Sequence, residues 1–371
     1  MDIYFYIPEA YQLFASNTES AREDVSKMIA LAEGFSAIDD VGVSFIFHEA
    51  NIDRLSHPTF NLCRVPRMIE QGIPLASRFV NRYRLNSVKV SGGPVYIVSL
   101  GGSSIHMAKA IAQLLGGKNV YFPSLDDPLS MFKPKAQAVN SLVSLLDHVD
   151  YTFMFTRRQE SLLEELGFQT DGVIVVGPYL ARQADYRSES RRRVLWMGLL
   201  EECSQPWVVL DLARSNPGIE FVMIGSVRRQ GQEKLAFCRY LERRIDNLEN
   251  VSLVLSSQNS FSLKDQFDKS KLMLSTSLDA NGCFNQLLAM SHGIPTIALS
   301  KENEGMVESV DLSQYSFENS GSLLSSFAMI YSDDSRLMEN SRRAYASASR
   351  GPSALLAAEE VTEILKEKRF A

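Results

Sequence analysis

No stretch of the sequence approaches the ~18 uninterrupted apolar residues that a membrane-spanning helix requires. The N-terminus, MDIYFYIPEA, also lacks the basic region, apolar run and small-residue cleavage site of a secretory leader. These absences read as a cytoplasmic chain, with peripheral contact at the inner face of a membrane as its one route to a bilayer. Cysteine is scarce and unpatterned: Cys63, Cys203, Cys238 and Cys283 stand singly, with no Cys-Xaa-Xaa-Cys pair. That excludes a disulfide scaffold and a thiolate zinc site, and leaves packed or free thiols. The histidines show neither His-Xaa-His nor His-Xaa-Xaa-Xaa-His spacing, and Asp126-Asp127 lacks the flanks of a metal-binding Asp-Xaa-Asp, so no metal is expected. Positive charge is in deficit, with 38 Lys and Arg against 44 Asp and Glu and a pI near 5.6. Phosphate-dominated binding needs a basic field, so a nucleic acid is not an expected partner, although a local basic patch is compatible with these totals.

What the sequence does have is alternation. A chain of 371 residues, 45% hydrophobic and 22% charged, is long enough for two globular cores. Short apolar runs bounded by turn residues read as strands at 3–7, 41–47, 94–100, 119–124, 151–155 and 172–177, with helical patterns at 20–34, 103–115, 136–147 and 157–166. The polar stretch ARQADYRSESRRR, 181–193, reads as a linker. A second cycle follows, with strands at 194–198, 220–225, 251–256, 272–276 and 295–300 and helices near 206–214, 230–245, 262–268 and 283–292. Helical patterns over 322–348 and 353–368 close the chain; in the last, Leu355, Leu356, Val361, Ile364 and Leu365 are expected to share a core-facing side. The fold class is therefore α/β, two Rossmann-like doubly wound domains facing a central cleft at their C-terminal strand edges. The domains are 1–180 and 194–352, joined by the linker 181–193, with a helix over 353–371.

From residue 149 onward the order of segments resembles the GT-B glycosyltransferases, specifically the large retaining group that uses nucleotide sugars. VDYTFMFTRRQESLLEELGFQTDGVIVVGPYL is similar to that family's strand, Ser/Thr-initiated helix, Leu-Gly and strand. VLWMGLL and NPGIEFVMIGS resemble the first two strands of its donor-binding domain, and LENVSLVLSSQNSFSLKDQFDKSKLMLSTS its third strand through to the donor loop. LLAMSHGIPTIAL and EGMVESV resemble the segments that close the pattern, and VYIVSLGGSSIHMAKAIAQLLGGKNVYFPS the middle of the acceptor domain. The resemblance implies an N-terminal acceptor domain, a C-terminal donor domain and a last helix that packs back towards the first. It also implies hexosyl transfer with retention from a nucleotide-sugar donor to a glycan or lipid-linked acceptor, as in surface polysaccharide assembly, with no cofactor or metal.

Departures from that family fall at its hallmark positions. An Arg and a Lys that follow the Gly ending the first donor-domain strand are replaced after Gly198 by Leu199 and Ser204. The two donor-loop glutamates correspond to Ala280 and Leu288, the acceptor-domain His to Leu125 or Asp126, and the glycine-rich loop after the first strand is missing.

Sugar transfer needs donors for a leaving diphosphate, a slot for base and ribose, and a group that orients the acceptor hydroxyl. DANGCFN, 279–285, opens a helix whose Asn281, Gly282 and Cys283 amides could face a phosphate, while Asp279 or Asn281 could equally cap it; the two readings are compatible. Asn285, with Gln286, could reach ribose hydroxyls, or be an exposed helix residue with no role. Gly198, Gly225 and Ser226 end strands where the resemblance puts the donor, Ser257 lies in SSQN where the family holds the base, and Glu308 lies in EGMVESV. His106, behind the Gly101-Gly102 turn with Ser103 and Ser104, and Asp126 in the DDP loop are the catalytic candidates; a packed His and an ordinary turn are the plainer readings. Arginines around the linker could replace the lost cations, meet an anionic membrane, or form a solvated face. Two functions follow: an active glycosyltransferase, or a GT-B protein without transfer activity that serves as a binding or accessory subunit.

Overall fold

The computed structural model describes residues 1–11, 14, 23–47, 57–64, 92–124, 146–168, 172–177, 179–180, 191–226, 232–255, 263–277, 281–299, 315–351 and 353–368. The chain divides into two compact units, Met1–Phe155 with Gln159–Val176 and Ser353–Ala371, and Thr156–Arg158 with Gly177–Pro352.

The first unit holds strands β1 (Asp2–Tyr6), β2 (Gly42–Phe47), β3 (Asn61–Arg64), β4 (Val95–Leu100), β5 (Lys118–Phe122), β6 (Tyr151–Met154) and β7 (Val173–Val175). Its described helices are α1 (Glu23–Ser36), α2 (Ile105–Leu115) and α3 (Arg157–Glu165), whose first two residues lie in the second unit. The strands form one parallel sheet in the order β3-β2-β1-β4-β5-β6-β7. β1 and β4 are buried at every position, which is why they read as continuous apolar runs instead of alternating ones.

The second unit holds β8 (Arg193–Leu199), α4 (Pro206–Ser215), β9 (Phe221–Ser226), α5 (Gln232–Ile245), β10 (Val251–Leu255), α6 (Leu263–Lys269), β11 (Ser270–Ser275), α7 (Asn281–Ser291), β12 (Thr296–Leu299), β13 (Tyr315–Phe317), α8 (Ser320–Ser332) and α9 (Asp334–Arg350). Its parallel sheet runs β10-β9-β8-β11-β12-β13. In each sheet the strand order reverses once, between β1 and β4 and between β8 and β11. Ligands of doubly wound folds bind outside the carboxyl ends of the strands at such a reversal.

The last helix, α10 (Ala354–Glu367), belongs to the first unit and packs on α1. The two meet at backbone distance: a Cβ at Gly34 would lie 2.3 Å from the Ala354 carbonyl oxygen and 3.1 Å from the Ala358 Cβ. The Tyr96 hydroxyl donates to the Leu365 carbonyl at 3.2 Å and ties α10 to β4.

The structure corrects several expectations. Leu355 and Leu356 are exposed, and the inner face of α10 is Ala354, Ala357, Ala358, Val361 and Leu365, because the close approach of α1 admits alanine where leucine would clash. The helical pattern over 322–348 breaks at Asp333, whose carboxylate accepts the Arg336 N–H at 3.0 Å and starts α9. β3 and β13 are not legible in the sequence, since NLCR and YSF mix polar and apolar residues and form no apolar run, unlike the equally short edge strand β7, VIV. The helix expected over 136–147, apart from its last two residues, and most of the linker lie outside the described residues.

Candidate functional site

The strand reversal of the second unit sits between the ends of β8 and β11. β8 closes on Met197, Gly198 and Leu199, and β11 leads into Ser275, Thr276 and Ser277 before α7 begins. A polar network joins these ends. The Trp196 indole N–H donates to the Thr276 hydroxyl at 2.8 Å, and that hydroxyl donates to the Ser204 carbonyl at 2.5 Å. The Ser204 hydroxyl accepts the Leu199 N–H at 3.2 Å, and the Gln205 amide donates to the Thr276 carbonyl at 3.2 Å. Gln205 stands in the left-handed region at φ 47, a conformation that costs a non-glycine residue on the order of 1 kcal/mol and persists where its surroundings fix it. Trp196, Ser204 and Thr276 are all at most 1% exposed, so the network is internal to the unit.

Two positions where the resembling family carries cations are therefore committed to the fold. Leu199 is buried, and Ser204 is fully buried with its hydroxyl used by the backbone. Leu288, at the second glutamate position, packs against the cluster of Leu195, Met197, Phe267 and Met273. The glycines have packing reasons as well. A Cβ at Gly198 would lie 2.8 Å from the Trp196 ring, and one at Gly225 would lie 2.7 Å from the Leu200 side chain. Ser226 is partly exposed, and its carbonyl accepts the Leu200 N–H at 2.9 Å.

Helix α7 begins at Asn281, as DANGCFN suggested. The side where a Gly282 Cβ would stand is occupied by Ser277, 3.1 Å away, so the close approach that glycine allows here is first of all to the end of β11. The Cys283 side chain is fully buried, which leaves its backbone as the part able to face a ligand. Asn285 and Gln286, considered as exposed residues, are buried at 3% and 0% exposure. The Gln286 amide donates to the Ser275 hydroxyl at 2.6 Å, and that of Asn285 to the Met197 carbonyl at 3.4 Å. Their carbonyl oxygens, Asn285 Oδ1 and Gln286 Oε1, have no hydrogen-bond partner among the described residues. Two buried acceptors next to a helix start and a strand end call for hydrogen-bond donors, from ordered water or from ligand hydroxyls.

The rest of α7 is held firmly. Gly293, at φ 67, ends it in a Schellman turn, with Gly293 N–H donating to Met290 O at 2.8 Å and Ile294 N–H to Ala289 O at 3.0 Å. The Arg191 guanidinium donates to the His292 and Gly293 carbonyls at 2.7 and 2.9 Å, satisfying the negative end of the helix. Tyr179, in the segment GPYL, packs edge-on against Phe284 of α7, and its burial pushes the phenol above its usual range.

In the first unit, the β4 end turns at Gly101, whose φ of 78 and ψ of 155 suit glycine alone. The Ser104 hydroxyl is turned inward to the Leu100 and Gly101 carbonyls at 2.7 and 2.9 Å, so it is spent on the turn and does not cap the helix. His106 is exposed at the start of α2; its ring centroid lies 5.0 Å from that of His148, whose Nδ1 is 3.0 Å from Lys109 Nζ. Sequence reading did not group these three, because 39 residues separate Lys109 from His148. Asp126, Ser257, Glu308 and the side chain of Asn281 lie outside the described residues. Among the described residues, no three His, Cys, Asp or Glu side chains gather around a metal-sized space, and no helix is long and apolar enough to cross a membrane.

No family model matches the sequence, and no curated protein matches it either. Solved structures do. The chain is similar to HepE of Anabaena in complex with UDP and glucose, with a TM-score of 0.70 and 11% identity over 99% of this chain and 100% of that one. It is similar to sucrose-phosphate synthase from Thermosynechococcus elongatus at a TM-score of 0.71 and 12% identity, over 99% of each chain. The lipopolysaccharide outer core galactosyltransferase WaaB follows at a TM-score of 0.57 and 14% identity, over 99% of this chain and 100% of that one. The fold is thus that of GT-B glycosyltransferases, α/β with two Rossmann-like units.

Proposed function

We propose that the protein is a glycosyltransferase that moves a sugar from a nucleotide donor to a glycan or lipid-linked acceptor in surface polysaccharide assembly. The observation that carries this reading is the whole-length likeness to HepE, which has been solved with UDP and with UDP-glucose. In this reading the nucleotide sugar lies at the β8–β11 strand reversal. The Asn281, Gly282 and Cys283 amides at the start of α7 meet the diphosphate through the positive end of the helix, in the absence of the usual cations. Asn285 Oδ1 accepts a donor hydroxyl, Gly198, Gly225, Ser226, Ser257 and Glu308 complete the donor side, and His106 and Asp126 serve the acceptor. Transfer proceeds with retention and without metal, so activity should survive EDTA.

Thermal unfolding with uridine, guanosine and cytidine diphosphates tests the reading. One nucleotide at 100 times its dissociation constant should stabilise the fold by about 2.7 kcal/mol. Asn281→Asp should abolish that shift by setting a carboxylate against the phosphate. No shift with any of the three at millimolar concentration removes the proposal.

A second reading, a non-catalytic accessory subunit of the same fold, is favoured by the burial of Leu199 and Ser204 and the packing of a half-buried Leu288 where the resembling family is charged. Nucleotide binding with neither sugar transfer nor donor hydrolysis would select it.

A further inference from the structure

Helix α9 presents a second stripe beside the one it buries. Arg336, Glu339, Asn340, Arg343, Ala346, Ser347 and Arg350 line a cavity of about 400 Å³ along the helix. These positions recur at three, four and seven residues, so they form one longitudinal face. The buried stripe of α9 is a different one, Leu337, Asn340, Ala344 and Ala348, sharing only Asn340. Arg336, Arg343 and Arg350 follow one another at seven-residue intervals, which sets them ~10 Å apart along the axis and spreads three positive charges over ~20 Å. Among the described residues, Arg343 pairs with Glu339. Arg336 lies over the Tyr315 ring, 5.5 Å from its centroid, and Tyr315 is fixed in turn by the Asn340 amide at 3.0 Å. Between Arg343 and Arg350 the short side chains of Ala346 and Ser347 leave the wall recessed.

We propose that this groove binds an extended, flexible polyanion bearing phosphate charges, laid along α9 with Arg336, Arg343 and Arg350 as its contacts. Charge complementarity and shape both point that way. Three guanidiniums against one carboxylate make a positive groove on a chain whose net charge is −6, so the sign is local and not a property of the whole surface. Guanidiniums offer forked donors suited to phosphate oxygens. A linear array in a recess fits a chain better than the flat surface of a bilayer. The described lining has no aromatic ring for bases to stack on, which sets a nucleic acid aside. The proposal does not depend on glycosyl transfer.

The test uses the full chain and three probes: inorganic polyphosphate of about 20 units, orthophosphate, and vesicles containing phosphatidylglycerol. Polyphosphate binding, followed by calorimetry from 50 to 200 mM salt, should weaken as salt rises, with a slope that reports about three neutralised phosphates. Arg336→Gln with Arg350→Gln should weaken it at least tenfold and reduce the slope by about two, whereas Arg342→Gln, off the groove, should leave it unchanged. Arg350 also complements the C-terminal end of α9, so far-UV circular dichroism and melting of the double variant serve as the fold control; if it is unfolded, Arg336→Gln with Arg343→Gln replaces it. Absence of polyphosphate binding at 50 mM salt would overturn the proposal. Equal affinity for orthophosphate, vesicle binding without polyphosphate binding, or wild-type affinity in the folded double variants would do the same.

Discussion

The Thr276 hydroxyl accepts the Trp196 indole N–H and donates to the Ser204 carbonyl, so one small side chain satisfies two buried polar groups at the end of β11. Thr276→Val keeps the shape and removes both bonds. It should cost about 1 to 3 kcal/mol in urea denaturation because the indole N–H is left buried and unpaired, whereas Thr276→Ser should recover most of that loss; a valine variant as stable as the parent would show the network to be idle. Ser204 makes the complementary point. Its position invites a lysine by resemblance, yet it is fully buried and used by the Leu199 N–H. Ser204→Lys should therefore cost about 3 kcal/mol or more through an unpaired buried ammonium, and a stable variant with enhanced nucleotide affinity would refute this placement. The sequence revealed that the cations were missing. It did not reveal what replaced them, since Trp196, Ser204 and Thr276 come together only when β8, its following turn and β11 lie side by side.

Among elements, α1 and α10 show how a contact far apart in sequence fixes composition. The Gly34 Cβ position lies 2.3 Å from a backbone oxygen of α10, an atom that has little freedom to move. Gly34→Ala should gain ~1 kcal/mol of helix propensity but lose about 1 to 3 kcal/mol to overpacking, for a net loss of stability in thermal unfolding; a rise in melting temperature would contradict the packing. Of the core-facing side read as Leu355, Leu356, Val361, Ile364 and Leu365, Val361 and Leu365 do face inward, while the close approach puts Ala354, Ala357 and Ala358 where Leu355 and Leu356 were expected. Strands fared better. Buried parallel strands read as apolar runs, and the expected spans coincide with β1, β4, β8 and β9 to within one or two residues. β3 and β13 escaped because NLCR and YSF contain no apolar run, whereas the three-residue β7 is the run VIV.

For the molecule as a whole, acid should act through His292. Its ring stacks on Phe267 at 4.4 Å, and burial pushes its pKa from 6.5 down to about 4, with Asp268 opposing and Arg191 and Lys264 adding to the shift. The unfolded chain therefore takes up a proton below pH 6.5 that the folded chain refuses until about pH 4. This contribution to stability is complete above pH 6.5 and is lost on acidification across that window, at no more than about 1.4 kcal/mol per pH unit. His292→Phe keeps a ring on Phe267, so stability curves of parent and variant should converge or cross as pH falls from 7 to 4, and parallel curves would remove His292 from the account. By itself the sequence determined the class, most of the order of strands and helices, and the start and Gly-Xaa-Pro end of α7, because hydrophobic period and turn chemistry are local. Only the tertiary structure decided that Leu199, Ser204 and Leu288 face inward, that the Asn285 and Gln286 side chains are buried, and that three arginines of α9 line one groove. Burial and partnership are relations between segments distant in the chain, which no local pattern encodes.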